Sequence, residues 1–94
     1  MTYSLDFLPS ALKEWDKLGA PVRTQFKKKL AERLEHPRVD AARLSGMQDC
    51  YKIKLRTAGY RLVYRVDDGA ITVIVVAVGQ RDRNAVYKAA VRRI

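Results

Sequence analysis

Residues 50 to 65, CYKIKLRTAGYRLVYR, carry five basic side chains, Lys52, Lys54, Arg56, Arg61 and Arg65, and no acidic one. Arginine forks and lysine ammonium groups match the oxygens of a phosphate. The stretch is therefore equipped to hold a phosphodiester. Like charges facing each other across a β-ladder cost a few tenths of a kcal/mol to about 1 kcal/mol, and no carboxylate in the stretch offsets that cost. Two readings stand side by side: a solvent face where water screens the repulsion, or a surface completed by a bound polyanion.

Conventional hydrolytic equipment is sparse. His36 is the only histidine and precedes Pro37 at a helix end, where a cap-region role fits better than general-base duty. Cys50 is the only cysteine, which leaves no partner for an internal disulfide, and it reads as a small half-buried hydrophobe. No run has metal-ligand spacing, no GxxxxGK[ST] loop occurs, and the ten acidic residues are scattered. No metal or cofactor is expected. RNA cleavage, however, can use the RNA's own 2′-hydroxyl as nucleophile, which leaves the protein only positioning, charge stabilisation and proton transfer. Removing one charge-stabilising donor from such a site costs about 2 to 4 kcal/mol.

The elements that must position these groups follow from hydrophobic period. Tyr3, Leu5 and Phe7 alternate with polar residues, the mark of a short half-buried strand. Ala11, Leu12, Trp15 and Leu18 fall at helical spacing, with Gly19 at a position suited to a left-handed helix end. Pro21 opens a second helix, in which Val22, Phe26, Leu30 and Leu34 recur every four residues while Lys27, Lys28, Lys29 and Arg33 occupy the other faces. Those cations read either as a solvated face or as a nucleic-acid contact. Residues 38 to 47 look irregular, with a bend at Gly46. After Gly79, residues 84 to 94 read as a closing helix with Asn84 or Asp82 near its N-cap.

Between them lies a β-meander. Side chains alternate across a strand, so loop length decides which residues share a face. A loop of Thr57-Ala58, or of Arg56 to Gly59, sets Tyr51 opposite Tyr64, Ile53 opposite Leu62 and Leu55 opposite Tyr60. One face is then wholly apolar or aromatic, and Lys54 meets Arg61 on the other. Asp68-Gly69 suits a two-residue turn, which would set Arg61 opposite Val76, Val63 opposite Ile74 and Arg65 opposite Thr72. The expected second face is a floor of Val63, Ile74 and Val76 edged by Lys52, Lys54 and Arg61. Residues 71 to 78 are apolar on both parities, as in a strand covered on both sides. With the hairpin tyrosines on the core face, Tyr87 is the tyrosine left to work among the cations, whose positive charge favours a phenolate.

The bulk composition agrees with a phosphate-binding role. Ninety-four residues with 48% apolar content suffice for one modest core, so residues 1 to 94 are expected to form a single domain. The formal charge is +9, a field that attracts nucleic acid or an acidic protein. The first residues lack a basic segment followed by an apolar one, and residues 70 to 78 fall far short of the roughly 20 needed to span a bilayer. A soluble cytoplasmic protein without membrane contact is expected.

The run CYKIKLR followed by GYRLVY, together with ALKEW at 11 to 15, KKKL at 27 to 30, VGQRDR at 78 to 83 and VY in the last helix, closely resembles the RelE toxins of type II toxin–antitoxin modules. The likeness covers essentially the whole chain. The general order of strand, two-helix hairpin, antiparallel β-meander and short C-terminal helix, an α+β microbial RNase fold, is shared more widely with ParE-type toxins. The resemblance implies metal-independent, ribosome-dependent cleavage of messenger RNA in the A site, leaving a 2′,3′-cyclic phosphate. It also implies neutralisation by a RelB-like antitoxin and joint repression of the operon, with operator DNA reached only through the antitoxin complex. Carried over by position, Lys52 and Lys54 match the family's active-site lysines, Arg61 and Arg81 its phosphate-stabilising arginines, and Tyr87 its general base. Either Lys54 or Arg81 would donate the proton to the leaving 5′-oxygen. Arg83, Lys27, Lys28 and Lys29 are candidate ribosomal-RNA contacts. Ser45 departs from the family pattern, which often has a basic residue just before the Gly-Met pair. Two other classes compete: a ParE-like inhibitor of DNA gyrase without enzymatic activity, and a basic module that only neutralises phosphates.

Overall fold

The computed structural model describes residues 2–94, with strands β1 (Ser4–Phe7), β2 (Cys50–Leu55), β3 (Tyr60–Asp67) and β4 (Thr72–Gln80) and helices α1 (Pro9–Asp16), α2 (Ala20–Glu35) and α3 (Ala85–Arg93). A 3-10 turn at Asp40–Ala42 lies in the irregular segment. The expected α+β architecture holds, and the four strands form one sheet in the order β1-β4-β3-β2. β2, β3 and β4 are an antiparallel meander, whereas β1 lies parallel to β4 with Ser4 beside Thr72 and Phe7 beside Val75.

The sheet has two different faces. On one, α1, α2 and the turn between them bring Ala11, Trp15, Leu18, Phe26 and Leu30 against Tyr51, Ile53, Leu55, Leu62, Tyr64, Val66, Val73, Val75 and Val78. Phe7, Trp15 and Phe26 pack in series as tilted rings, with centroids 5.3 and 6.2 Å apart. On the other face, α3 sets Val86 and Ala90 over Cys50, Val63, Val76 and Ala77. Leu5 and Leu12 fall outside both cores, at 40% and 45% exposure. Cys50 is fully buried rather than half-buried, and that burial pushes its thiol pKa up.

Local chemistry accounts for the helix boundaries. Pro21 sits in the first turn of α2, where its missing N–H is no loss. Gly19 is not a left-handed helix end: with φ −66° and ψ 153° it is the extended N-cap of α2, and α1 has already closed at Lys17. Arg33 does not belong to a solvated face either. Its Nη1 donates to the Lys52 carbonyl at 3.1 Å and to the Tyr64 hydroxyl at 2.9 Å, tying α2 to edge strand β2.

The first hairpin has the expected register, with Tyr51 opposite Tyr64, Ile53 opposite Leu62 and Lys54 opposite Arg61. Its loop is Arg56 to Gly59, closed by the Gly59 N–H donating to the Leu55 carbonyl at 2.8 Å, with Gly59 at φ 74°. The second hairpin differs from expectation. Asp67 pairs with Thr72, so the connection is four residues long and the left-handed position is Ile71, at φ 50°. The ladder then slips between Val63 and Tyr64. Tyr64 faces Val75, yet Val63 faces Ala77, which makes Val76 the extra residue of a β-bulge. Arg61 thus faces Gly79 instead of Val76, Val63 faces Ala77 instead of Ile74, and Arg65 faces Ile74 instead of Thr72. The floor becomes Val63, Val76 and Ala77, already covered by α3, and Ile74 is not part of it.

Candidate active site

At the end of the sheet where β4 hands over to α3, an open cleft of about 130 Å³ is lined by Lys54, Arg61, Gln80, Arg81, Asp82, Asn84 and Tyr87. Each comes from a different local device. Lys54 stands exposed on edge strand β2, directly across the ladder from Arg61. Arg61 lies on the central strand β3 and is only 7% exposed, the sole buried charged side chain among the described residues. Its Nη1 donates to the Tyr60 carbonyl at 2.9 Å. Gly79 lies opposite Arg61, and a Cβ there would meet the Val86 side chain at 3.5 Å, an ordinary packing contact.

Arg81 is fixed through its backbone, whose N–H donates to the Gly59 carbonyl at 2.7 Å. The turn of the first hairpin and the exit of β4 are thereby tied together. Arg83 and Asn84 are both left-handed, at φ 48° and 61°, and this sharp reversal launches α3 back over the sheet. Asn84 is the N-cap, as the sequence indicated, but no side-chain bond closes the cap. Tyr87 follows within the first turn of α3, half-buried against the Val63 and Val76 cluster.

Cations dominate the cleft, with Asp82 the one carboxylate among its lining residues. No ion pair within 4.0 Å engages Lys52, Lys54, Arg61, Arg81 or Arg83 among the described residues; the pairs present are Arg38 with Asp49 and Asp68, Arg43 with Asp40, and Arg93 with Glu14. The Lys52 ammonium lowers the pKa of Lys54 most, with burial, Arg61 and Arg56 pushing the same way. Such a lysine gives up its proton more readily than an isolated one. No group of three or more His, Cys, Asp or Glu side chains suited to hold a metal ion occurs among the described residues.

Of the residues singled out by sequence, the cleft unites Lys54, Arg61, Arg81 and Tyr87. Lys52 lines the adjoining groove with Arg33, Lys54 and Arg56, so Lys54 is the member common to both. Arg83 is exposed beside the cleft but does not line it. Lys27, Lys28 and Lys29 are exposed on α2, which packs on the opposite face of the sheet, and Lys27 borders an apolar groove with Leu5, Phe7 and Trp15. Gln80, Asp82 and Asn84 join the cleft without a sequence signal for a site, beyond the place of Asp82 and Asn84 near the helix N-cap in the turn around Arg81.

A small α+β domain whose meander and final helix enclose a cationic cleft has counterparts among toxins of type II toxin–antitoxin systems. A family model described as the ParE toxin of the type II toxin–antitoxin system, parDE, matches residues 5–85. The mRNA interferase toxin RelE of Escherichia coli strain K12 is 61% identical over all 94 residues and 99% of its own length. A mutant of the E. coli RelE toxin in the free state superposes with a TM-score of 0.92 at 58% identity, covering 100% of this chain and 99% of that one. The same mutant bound to a peptide of the antitoxin RelB gives 0.84 over the same coverage. The chain belongs to the RelE toxins, within the wider RelE/ParE superfamily.

Proposed function

We propose that this protein is a ribosome-dependent endoribonuclease that cleaves messenger RNA in the A site by attack of the 2′-hydroxyl on the adjacent phosphodiester. The observation that carries the reading is the convergence of Lys54, Arg61, Arg81 and Tyr87 on one cleft in which, among the described residues, no carboxylate forms an ion pair with the three cations. Tyr87 accepts the proton of the 2′-hydroxyl as its oxygen bonds to phosphorus. Arg61 and Arg81 hold the non-bridging oxygens, where charge accumulates in the transition state. Lys54 protonates the departing 5′-oxygen: its pKa is lowered by Lys52, whereas arginine keeps its proton throughout the neutral range. The products are a 2′,3′-cyclic phosphate and a free 5′-hydroxyl. The protein supplies no nucleophile, and the ribosome presents the substrate. Arg83 and the exposed lysines of α2 contribute contacts to ribosomal RNA.

In the cytoplasm, an acidic RelB-like antitoxin holds the toxin inactive, and the complex represses its own operon through operator DNA. Structures of E. coli RelE in complex with the antitoxin RelB, whole or as a peptide, support a partner of this kind. Because the floor of Val63, Val76 and Ala77 lies beneath Val86 and Ala90, an antitoxin helix reaches it only by displacing α3. The match to a ParE-type model favours gyrase inhibition as a second reading. Primer extension on a messenger RNA after brief induction separates the two. New 5′ ends at codon positions, absent with Tyr87→Phe, support cleavage; intact messenger RNA with DNA-damage signs refutes it in favour of gyrase.

A further inference from the structure

The helix that carries Tyr87 is short and weakly seated. Only Val86 and Ala90 of its nine residues are buried, its N-cap makes no side-chain bond, and it is entered through two left-handed non-glycine residues. Its far end is held quite differently. Arg93 forks onto Glu14 of α1, with Nη1 to Oε1 at 2.8 Å and Nη2 to Oε2 at 3.0 Å, and Nη1 also donates to the Val76 carbonyl at 2.9 Å. Glu14 Oε1 in turn accepts the Val78 N–H at 3.2 Å.

The place of these contacts is informative. β1 pairs with β4 only from Thr72 to Val75, after which the Leu8 N–H donates to the Val75 carbonyl and the chain leaves for α1. Beyond that point, the Val76 carbonyl and the Val78 N–H have their partners in Arg93 and Glu14. The ion pair replaces the missing stretch of strand at the bulge and bolts α3 across it. At 24% and 32% side-chain exposure it is also less open to solvent than the Arg43–Asp40 pair, at 52% and 92%.

We infer that Glu14 and Arg93 form a latch that holds α3 on the sheet and thereby positions Tyr87 over the cleft. Both are positioning residues, remote from the reacting atoms. The inference rests on the reading of Tyr87 as proton acceptor. A displacement of a reacting group by about 1 Å costs roughly a hundredfold in rate, so an α3 that spends part of its time undocked loses turnover rather than affinity for the ribosome.

The test combines amide hydrogen exchange on the free full-length protein with cleavage on programmed ribosomes, for Glu14→Gln, Arg93→Met, Arg93→Lys and Tyr87→Phe. Arg93→Met removes charge-assisted bonds, so exchange within α3 should rise roughly tenfold or more while β3 and β4 keep their protection. The cleavage rate at saturating ribosomes should fall by a similar factor with the half-saturating concentration unchanged. Arg93→Lys should recover part of both effects, and Glu14→Gln, which keeps an acceptor for Val78, should fall between Arg93→Met and the parent. Unchanged α3 exchange in Arg93→Met overturns the latch. Faster exchange with an unchanged saturating rate overturns its positioning role if Tyr87→Phe is inactive. If Tyr87→Phe is also fully active, the assignment of Tyr87 fails and takes the positioning role with it.

Discussion

Replacing Arg61 by Met should separate function from stability. Arg61 is 7% exposed, carries a full charge, donates to the Tyr60 carbonyl and faces the cation Lys54 across the ladder. Methionine preserves most of the apolar stem in a pocket of the same length. The substitution removes a like-charge pair worth a few tenths to about 1 kcal/mol of destabilisation, and it removes one hydrogen bond from a charged donor, worth about 1.5 to 3 kcal/mol before desolvation is counted. Burying the guanidinium without a counterion costs several kcal/mol, so the two sides nearly cancel. Stability should stay within about 1 kcal/mol of the parent, which for a chain of this size is a Tm change of no more than about 4 to 8 °C. Cleavage should fall about 10²- to 10³-fold, the loss expected when one preorganised donor disappears from a developing oxyanion. Thermal unfolding at low and at about 1 M salt, beside single-turnover cleavage on ribosomes, measures both. The parent should gain on the variant as salt rises, because screening relieves only the parent's repulsion. A Tm drop beyond about 15 °C, or cleavage within a few fold of the parent, would show that Arg61 is held for the fold and not for phosphate.

Further outcomes follow from the same electrostatics and backbone geometry. Lys52 is the largest influence lowering the Lys54 pKa, so Lys52→Met should move the Lys54 titration to higher pH, read by NMR of reductively methylated lysines; a shift to lower pH would contradict the assigned cause. Asp68 has its pKa lowered by the hydrogen bond from Tyr3 and by the Arg38 guanidinium. Its contribution to stability is therefore complete above the ordinary aspartate range and lost as pH falls through the lower folded value. Asp68→Asn should flatten the denaturant midpoint against pH below about 4 and leave its slope unchanged near neutrality. Gly59→Ala places a methyl in open space, since no atom lies within 4 Å, but at φ 74°. The cost is conformational alone, about 1 to 2 kcal/mol, visible as a lower Tm.

The register of the first hairpin was legible because only one parity buries Tyr51, Ile53, Leu55, Tyr60, Leu62 and Tyr64 together. The second hairpin was not, for a physical reason. Residues 73 to 78 are only Val, Ile and Ala, so a slip of one residue around the bulge leaves no polar side chain misplaced to betray it. Asp68-Gly69 marked a turn correctly but not its length, since the positive φ falls at Ile71, a residue with no left-handed preference. Of the site, the cations of the hairpin and Tyr87 could be reasoned from residue types, whereas Arg81 emerged only through family resemblance. Its anchoring by the Gly59 carbonyl is a long-range backbone contact with no local sequence signal. Gln80, Asp82 and Asn84 line the cleft from the same turn, again with no local sequence signal for a site.

The extra residue at Val76 acts as a phase shifter along β4. Below it, the strand keeps step with the helical core; above it, the count is advanced by one, so that Val78 still points into the core while Gly79 falls opposite Arg61. With uninterrupted alternation Val78 would stand opposite Arg61 and block the cavity, and the core would lose a valine. A single surplus residue lets one strand serve two interiors whose spacings do not otherwise agree, and the backbone groups at that irregularity are the ones that Glu14 and Arg93 occupy.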